Sequence, residues 1–429
     1  MDILRSATQL TQFLTIPFLH PHRHRQSASV RHLRRCLGFP VRSSLPFPDQ
    51  NAMYHRELRA AVDAVERACR LCVDVKKSLF SSDGRILEKN DQTPVTVADF
   101  GVQALISLEV GKLFPSIPLV AEEDSAFLRS SNLVNSVVDE VTDKASFGDK
   151  QLMEADVLEA IDRGGKDAFS FGRKPATYWL IDFLQVLDPI DGTRGFVRGS
   201  DALYVLRVNQ NFQVGLALVV EGEVVLGVMG CPNWQKDKPG NSATETLNSP
   251  KTLSGIIMVA HVGFGTWTKQ LSFMLSSTTE ISNSWTRCSV DRCWLVHEAR
   301  FCISDSQTWE SLPLSTLFDA TTDAESINDK QILLLSACCG SLCKYLMVAS
   351  GWASVFILRA RAQTVIKVWD HAAGMICVHE AGGKVTDWRG NELDLSVDQV
   401  ERRFICPTGG VLVTNSSLHT NLLKLISSG

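Results

Sequence analysis

The sequence predicts a mixed α/β (α+β) protein with two domains behind a basic leader. Three observations predict it. Helix-period segments and short strand-like apolar runs alternate from residue 54 onward. The 429 residues, 45% apolar and 21% charged, can bury a large core and divide into two domains. Acidic clusters stand at the ends of apolar runs, the pattern of strands and helices that end in oxygen ligands.

Residues 1–50 differ from the rest. They hold Arg5, Arg23, Arg25, Arg31, Arg34, Arg35 and Arg42 but only two acids, Asp2 and Asp49. An Arg-rich, Ser-containing, acid-poor leader predicts a disordered organelle transit peptide. A basic tail without a targeting role is the alternative. From Tyr54 to Leu79, Leu58, Ala61, Val62, Val65, Cys69, Cys72 and Val73 recur at helical spacing and predict an amphipathic helix. Asp83-Gly84 marks a loop. Val95 to Phe114 reads as strand into helix, stopped by Pro115, and Ile117 to Ala121 as a strand that delivers Glu122.

Residues 124–176 are polar and locally helical, broken at Gly164-Gly165, and predict a peripheral insertion. Tyr178 to Leu187 leads into Asp188. Ala217 to Val220 and Val224 to Met229 flank Glu221-Gly222-Glu223 and predict a hairpin. Residues 235–251 read as an exposed loop. Beyond them, strands are expected near 253–260, 353–358 and 410–414, and helices near 341–350, 370–381 and 416–427. The expected domains are 54–252, carrying most of the acidic residues, and 253–429.

A net charge of −4 implies no general polyanion-binding surface, so no nucleic-acid partner is expected. No apolar run approaches the ~20 residues that span a bilayer, so no membrane partner is expected either. The twelve Cys form no pair of CxxC motifs of the zinc-binding type. Cys338, Cys339 and Cys343 lie on an apolar helical pattern and read as small core residues, with a redox role for a Cys pair as the alternative.

The chemistry lies in three strings: Glu122-Glu123, Asp188-Pro189-Ile190-Asp191-Gly192-Thr193 and Trp369-Asp370-His371-Ala372-Ala373-Gly374. Singly, each has a plain reading: a solvated face, a turn, a helix N-cap. Together they offer the oxygen ligands that Mg²⁺ requires. Two such ions roughly 3.5–4 Å apart can clamp the attacking and leaving oxygens of a phosphoryl displacement.

With Asp99 upstream, these strings resemble the lithium-sensitive, Mg²⁺-dependent phosphatase superfamily of inositol monophosphatase and fructose-1,6-bisphosphatase. Its pattern is an Asp, then Glu-Glu, then D-P-[IL]-D-[GS]-T, then W-D-x-A-A. Lys89-Asn90-Asp91 with Thr93 to Asp99, Gly340 to Tyr345, and His379 to Gly383 bring the resemblance nearest to the plant-type 3′(2′),5′-bisphosphate nucleotidases, over residues 54–428. The resemblance implies a layered α-β-α-β-α sandwich with a metal site in the cleft between domains.

It also implies two or three Mg²⁺ ions held by Glu122, Asp188, the Ile190 carbonyl, Asp191 and Asp370. Thr193 would orient a water and Asp99 would accept its proton. Substrate contacts would come from Thr193, Ser304, Ser341, Lys344, Arg359 and Asp370. Lys344 and Ser341, at the start of a helix, would hold a second phosphate. The implied reaction is hydrolysis of adenosine 3′,5′-bisphosphate to AMP and phosphate, and of the sulfated analogue to adenosine 5′-phosphosulfate; a monomer is expected. The expected destination is the chloroplast, with the mitochondrion as the alternative. Lithium inhibition and a place in sulfur metabolism follow from the same resemblance.

Two segments depart from the pattern. Leu180 to Gln185 before Asp188, and Leu206 to Gln213 before Val214, read as short insertions beside core strands. A strand has a side-chain period of two, so each insertion must bulge out or shift the strand. The bisphosphate branch often carries a His near the adenosine; here Ser304-Asp305-Ser306 stands in that region. An inositol phosphate phosphatase, or a ligand-binding isoform impaired by the insertions, are the alternative functions.

Overall fold

The structure is a computed structural model of the whole chain. It describes residues 45–47, 52–79, 86–88, 94–145, 152–165, 183–193, 212–234, 255–271, 284–324, 327–335, 340–361, 365–395 and 401–428. The compact unit runs from Ser43 to Gly429. Leu45 and Phe47, inside the expected leader, are buried in its core. Both are apolar, and the Phe47 ring packs edge-on against His261. The rest of the leader lies outside the described residues.

Helix α1 (His55–Leu79) buries Leu58, Val62, Val65, Cys69 and Cys72, as its spacing predicts. A hairpin of β1 (Ile86–Glu88) and β2 (Pro94–Thr96) leads into α2 (Val97–Leu113). A seven-stranded sheet follows, in the order β3 (Leu119–Ala121), β4 (Phe183–Asp191), β5 (Gln213–Val220), β6 (Glu223–Cys231), β7 (Ile256–His261), β8 (Gly265–Gln270) and β9 (Thr286–Cys288). The first sheet therefore continues past residue 252, where the domain division is expected. Glu221 and Gly222, both at positive φ, make the tight turn of the β5–β6 hairpin.

The described part of the polar segment after Glu123 is not peripheral; residues 146–151 and 166–176 lie outside the described residues. Its helices α3 (Ser125–Arg129), α4 (Val134–Lys144) and α5 (Glu154–Asp162) place Val137, Val141, Val157 and Ile161 in the core beside α2. Apolar residues four apart suffice to fix an otherwise charged helix onto a core.

The second sheet has six strands, in the order β11 (Asp319–Thr321), β12 (Gln331–Leu334), β10 (Arg300–Ile303), β13 (Val355–Arg359), β17 (Gly410–Asn415) and β15 (Gly383–Asp387). The four strands β11, β12, β10 and β13 run parallel. A small pair, β14 (Ile366–Lys367) with β16 (Phe404–Ile405), stands apart. Among the described residues the remaining α-helices are α6 (Ser341–Ala349), α7 (Ala372–Glu380) and α8 (Ser416–Ser428). Among the described residues no helix is long and apolar enough to cross a membrane.

Alternation along the strands shows the layers. On β5, Val214, Leu216 and Leu218 enter the core under α1 and α2, while Ala217 and Val219 enter the core with α6 and α7. On β13, Phe356 and Leu358 meet that same middle layer, and Val355 and Ile357 face Leu418 and Leu422 of α8. The order is helices, sheet, helices, sheet, helix, the α-β-α-β-α sandwich expected.

The described parts of both supposed insertions are built into the first sheet or packed directly against it. Phe183, Leu184 and Gln185 pair in register with Val220, Val219 and Leu218, and Gln185 also lies opposite Leu119. Phe212 is fully buried and Gln213 opens β5. Phe183 to Gln185 lengthen β4 at its start in unbroken register with β5, whereas Gln213 pairs with Asp191 beyond a register shift. Residues 180–182 and 206–211 lie outside the described residues.

Candidate active site

The pairing of β4 with β5 shifts between Asp188, opposite Gly215, and Asp191, opposite Gln213. Three steps on β4 thus match two on β5, which is a β-bulge. In a regular strand, residues three apart point to opposite faces. The extra residue restores Asp188 and Asp191 to one face. Ile190 reports the same shift, since it shares its core with Leu187, three positions earlier. Pro189 has no N–H to lose from the ladder, so it suits the break. The bulge turns both carboxylates toward the middle helical layer.

Asp370 arrives from that layer, two residues before α7. Ligand oxygens of Asp188, Asp191 and Asp370 all lie within 4.8 Å of one another. Asp188 and Asp191 are buried, and Asp370 is half-buried. Glu122, just past β3, stands outside that trio, but its charge acts on Asp188 and Asp370. Burial, then the charges of Asp191, Asp370, Glu122 and Asp99, push the Asp188 carboxyl well above the usual range. Burial with Asp191 and Glu122 does the same to Asp370. Burial pushes Asp191 up to about 7 against the opposing pull of Lys344 and the amides of Leu342 and Ser341. Asp188 Oδ1 is buried with no hydrogen-bond partner in the protein. An orphaned carboxylate oxygen among crowded acids fits a hard divalent cation, which relieves both the desolvation and the repulsion.

Beside the trio, Thr193 donates its hydroxyl at 3.1 Å to Asp99 Oδ1 and at 3.1 Å to the Ile190 carbonyl. The other Asp99 oxygen accepts from the Thr96 N–H and hydroxyl, each at 2.7 Å. Sequence reasoning passed over Thr96. Thr-x-x-Asp before an apolar run is the capping-box spacing, and it was the available signal. The cap of α2 thus leaves one Asp99 oxygen for Thr193.

The N-terminus of α6 is differently employed than expected. The Asp191 carboxylate accepts from Ser341 N–H at 2.9 Å and Leu342 N–H at 2.6 Å. A carboxylate at a helix N-terminus is favourable. Gly340, at φ +91°, permits the approach, since a Cβ there would overlap the Asp191 carboxylate. Lys344 is buried, donates to the Gly340 carbonyl at 2.7 Å and reaches Asp305 Oδ1 at 3.4 Å. Gly374 of the third string lies against Tyr345, whose ring a Cβ would overlap. The Tyr345 hydroxyl meets His371 Nδ1 at 2.8 Å. Burial lowers His371 to about 3, so the ring beside Asp370 is neutral.

The outer wall is the carboxyl edge of the parallel strands, where α/β sheets offer ligand crevices. Ser304 and Asp305 follow β10, and Arg359 ends β13 alongside. The Ser304 hydroxyl meets that of Ser306 at 3.0 Å. Arg359 is exposed and donates to the Ser311 carbonyl at 2.5 Å. Gln307 brackets its main chain with bonds of 2.6 and 3.0 Å. Cys343 is buried, as a core residue should be; Cys338 and Cys339 lie outside the described residues.

A family model described as the inositol monophosphatase family matches residues 54–428. The chain belongs to this family, a family of metal-dependent phosphate-ester hydrolases. A relative from Arabidopsis thaliana, provisionally named a mitochondrial 3′(2′),5′-bisphosphate nucleotidase, is 63% identical over 390 residues, 91% of each chain. The 3′(2′),5′-bisphosphate nucleotidase of Oryza sativa is 33% identical over 87% of this chain and 94% of its own. Among solved structures, the extragenic suppressor protein suhB from Bartonella henselae superposes with a TM-score of 0.50 at 16% identity, over 87% of this chain and 99% of its own. That likeness bears on the fold.

Proposed function

We propose that the chain is a Mg²⁺-dependent phosphatase that removes one phosphate from adenosine 3′,5′-bisphosphate to leave AMP. The observation that carries the reading is the buried trio Asp188, Asp191 and Asp370 with the Asp99–Thr193 pair beside it. The names of the relatives support the bisphosphate as substrate. Lys344 and Arg359 at the facing crevice supply cations for a phosphate that does not react. The 63% identical relative supports a mitochondrial destination for the basic leader rather than the chloroplast.

Each group has a task in this reading. Divalent cations held by Asp188, Asp191, Asp370 and Glu122 would supply Lewis acidity at the phosphate and a lowered pKa for the attacking water. Thr193, whose proton is directed to Asp99, offers its oxygen lone pair to that water and orients it. Asp99 Oδ1 receives the proton through the Thr193 hydroxyl. The two Thr96 bonds hold one Asp99 oxygen and leave the other facing the Thr193 hydroxyl. Neutral His371, fixed by Tyr345, anchors the start of α7 and with it Asp370.

Phosphate release from a panel of adenosine 3′,5′-bisphosphate, its sulfated analogue, 3′-AMP and inositol 1-phosphate tests the reading. The bisphosphate should give the highest kcat/KM, and lithium should inhibit. Preferential turnover of the inositol ester would overturn the substrate class while leaving the site.

A further inference from the structure

We propose that Arg403 is a positioning residue of the acidic centre, a buried clamp that holds the Glu122 and Asp370 segments at a fixed separation. The inference rests on reading Glu122, Asp188, Asp191 and Asp370 as a divalent-cation centre. Arg403 directly precedes β16 and is 5% exposed. Its guanidinium donates to the Gly164 carbonyl at 3.3 Å and to the Glu122 carbonyl at 3.4 Å. Its Cζ lies 4.7 Å from the centre of the Trp369 ring, and Trp369 immediately precedes Asp370. Its own carbonyl accepts from Val368 N–H at 3.0 Å.

One residue thus touches both arms of the site. Glu122 hangs from the edge strand of the first sheet, and Asp370 from the entry to α7 in the middle layer. Elsewhere, Glu122 is steadied through its neighbour. Gln103 of α2 accepts from Glu123 N–H at 2.8 Å and donates to its carbonyl at 2.7 Å. That bracket fixes Glu122 to the helices on the outer face only. Arg403 ties the same peptide to the opposite arm. A planar fork that also stacks on an aromatic ring does this as an ammonium cannot. The cation also lies in the field of Glu122, Glu123, Asp124 and Glu401, so it offsets repulsion as the acids gather.

Cation affinity is the direct readout. Mn²⁺ is titrated calorimetrically into the metal-free full chain, for wild type, Arg403→Met and Arg403→Lys, alongside melting curves. Loss of an outer residue that orients ligands typically weakens metal affinity about 10–100-fold. Arg403→Met should bind Mn²⁺ at least about 10-fold more weakly and need correspondingly more Mg²⁺ for half-maximal turnover, with kcat at saturating Mg²⁺ nearly kept. Arg403→Lys keeps charge but loses the fork and the stack, and should still bind about 3-fold more weakly. Should Arg403→Met not fold, the Lys variant decides alone. Variants that melt earlier yet bind Mn²⁺ as wild type does would overturn the proposal, because Arg403 would then be packing only. Wild type that binds no Mn²⁺ would overturn the cation-centre reading, and the clamp with it.

Discussion

Asp188 and Asp191 stand three residues apart on one strand and still share a face, because β4 carries one residue more than β5 between them. That bulge converts a strand end into a two-carboxylate jaw, and Asp370 closes it from α7. The trio is held together against its own charge, and this sets the behaviour of the metal-free protein.

Asp188→Asn should therefore abolish turnover while raising the melting temperature of the metal-free form by about 2 °C. Replacing a buried, repelled acid by a neutral amide relieves on the order of 1 kcal/mol. Thermal melts in excess chelator, with activity at saturating Mg²⁺, check both halves. Retained activity, or a lower melting point, contradicts the assignment.

The raised carboxyl groups give a pH signature. Asp191 titrates near 7 when folded, against an ordinary carboxylate value when unfolded. Its proton is favoured in the fold, so its contribution to stability is present at low pH and lost as pH rises through about 7. A cation competes with that proton. The Mg²⁺-induced rise in melting temperature should thus be small near pH 5 and grow steadily toward about pH 8. Buried His371, depressed to about 3, works in the opposite sense, adding stability as pH rises through its unfolded range. It does so with and without metal, so the difference between the two melts isolates the acids.

Lys344 and Asp305 should act on KM in opposite directions. Lys344→Met keeps the buried stem and removes the cation, so KM for the bisphosphate should rise about 10-fold with kcat within a few-fold. Asp305→Asn removes the carboxylate that already occupies Lys344, and KM should fall about 3-fold by the same reasoning. A collapse of kcat in the Lys344 variant would place that residue at the reacting centre. An unchanged KM in the Asp305 variant would mean the pair does not oppose substrate.

The strand ends carry stability. Leu184→Ala should cost about 2–5 kcal/mol and Phe212→Ala about 3–5 kcal/mol, because both side chains fill the cores on either face of the first sheet. Denaturant unfolding measures this. Near-neutral effects would mean that both residues belong to dispensable bulges.

Much of the fold was legible because its signals are local. The period of α1 shows in Leu58, Val62, Val65 and Cys69, and the Glu221-Gly222 turn marks its hairpin. The strings around Glu122, Asp188 and Asp370 mark the candidate site because the proposed metal centre needs several oxygens at strand and helix ends. What escaped was not local. Leu184 and Phe212 read as interruptions when judged against a pattern, yet their partners Val219 and the α1–α2 core lie elsewhere in the chain. Val137 and Val141 are sparse on a charged helix, and only α2 shows why they suffice. Asp305 gains meaning from Lys344, and Arg403 from Glu122 and Trp369. No spacing announces such pairs.

The most direct measurement is anomalous diffraction from crystals grown with Mn²⁺ as a stand-in for Mg²⁺. The account expects a peak at about 2.0–2.3 Å from carboxylate oxygens of Asp188, Asp191 and Asp370, with Glu122 drawn toward it. A peak elsewhere, or none at Mn²⁺ concentrations that sustain turnover, would contradict the assignment of this trio as the metal centre.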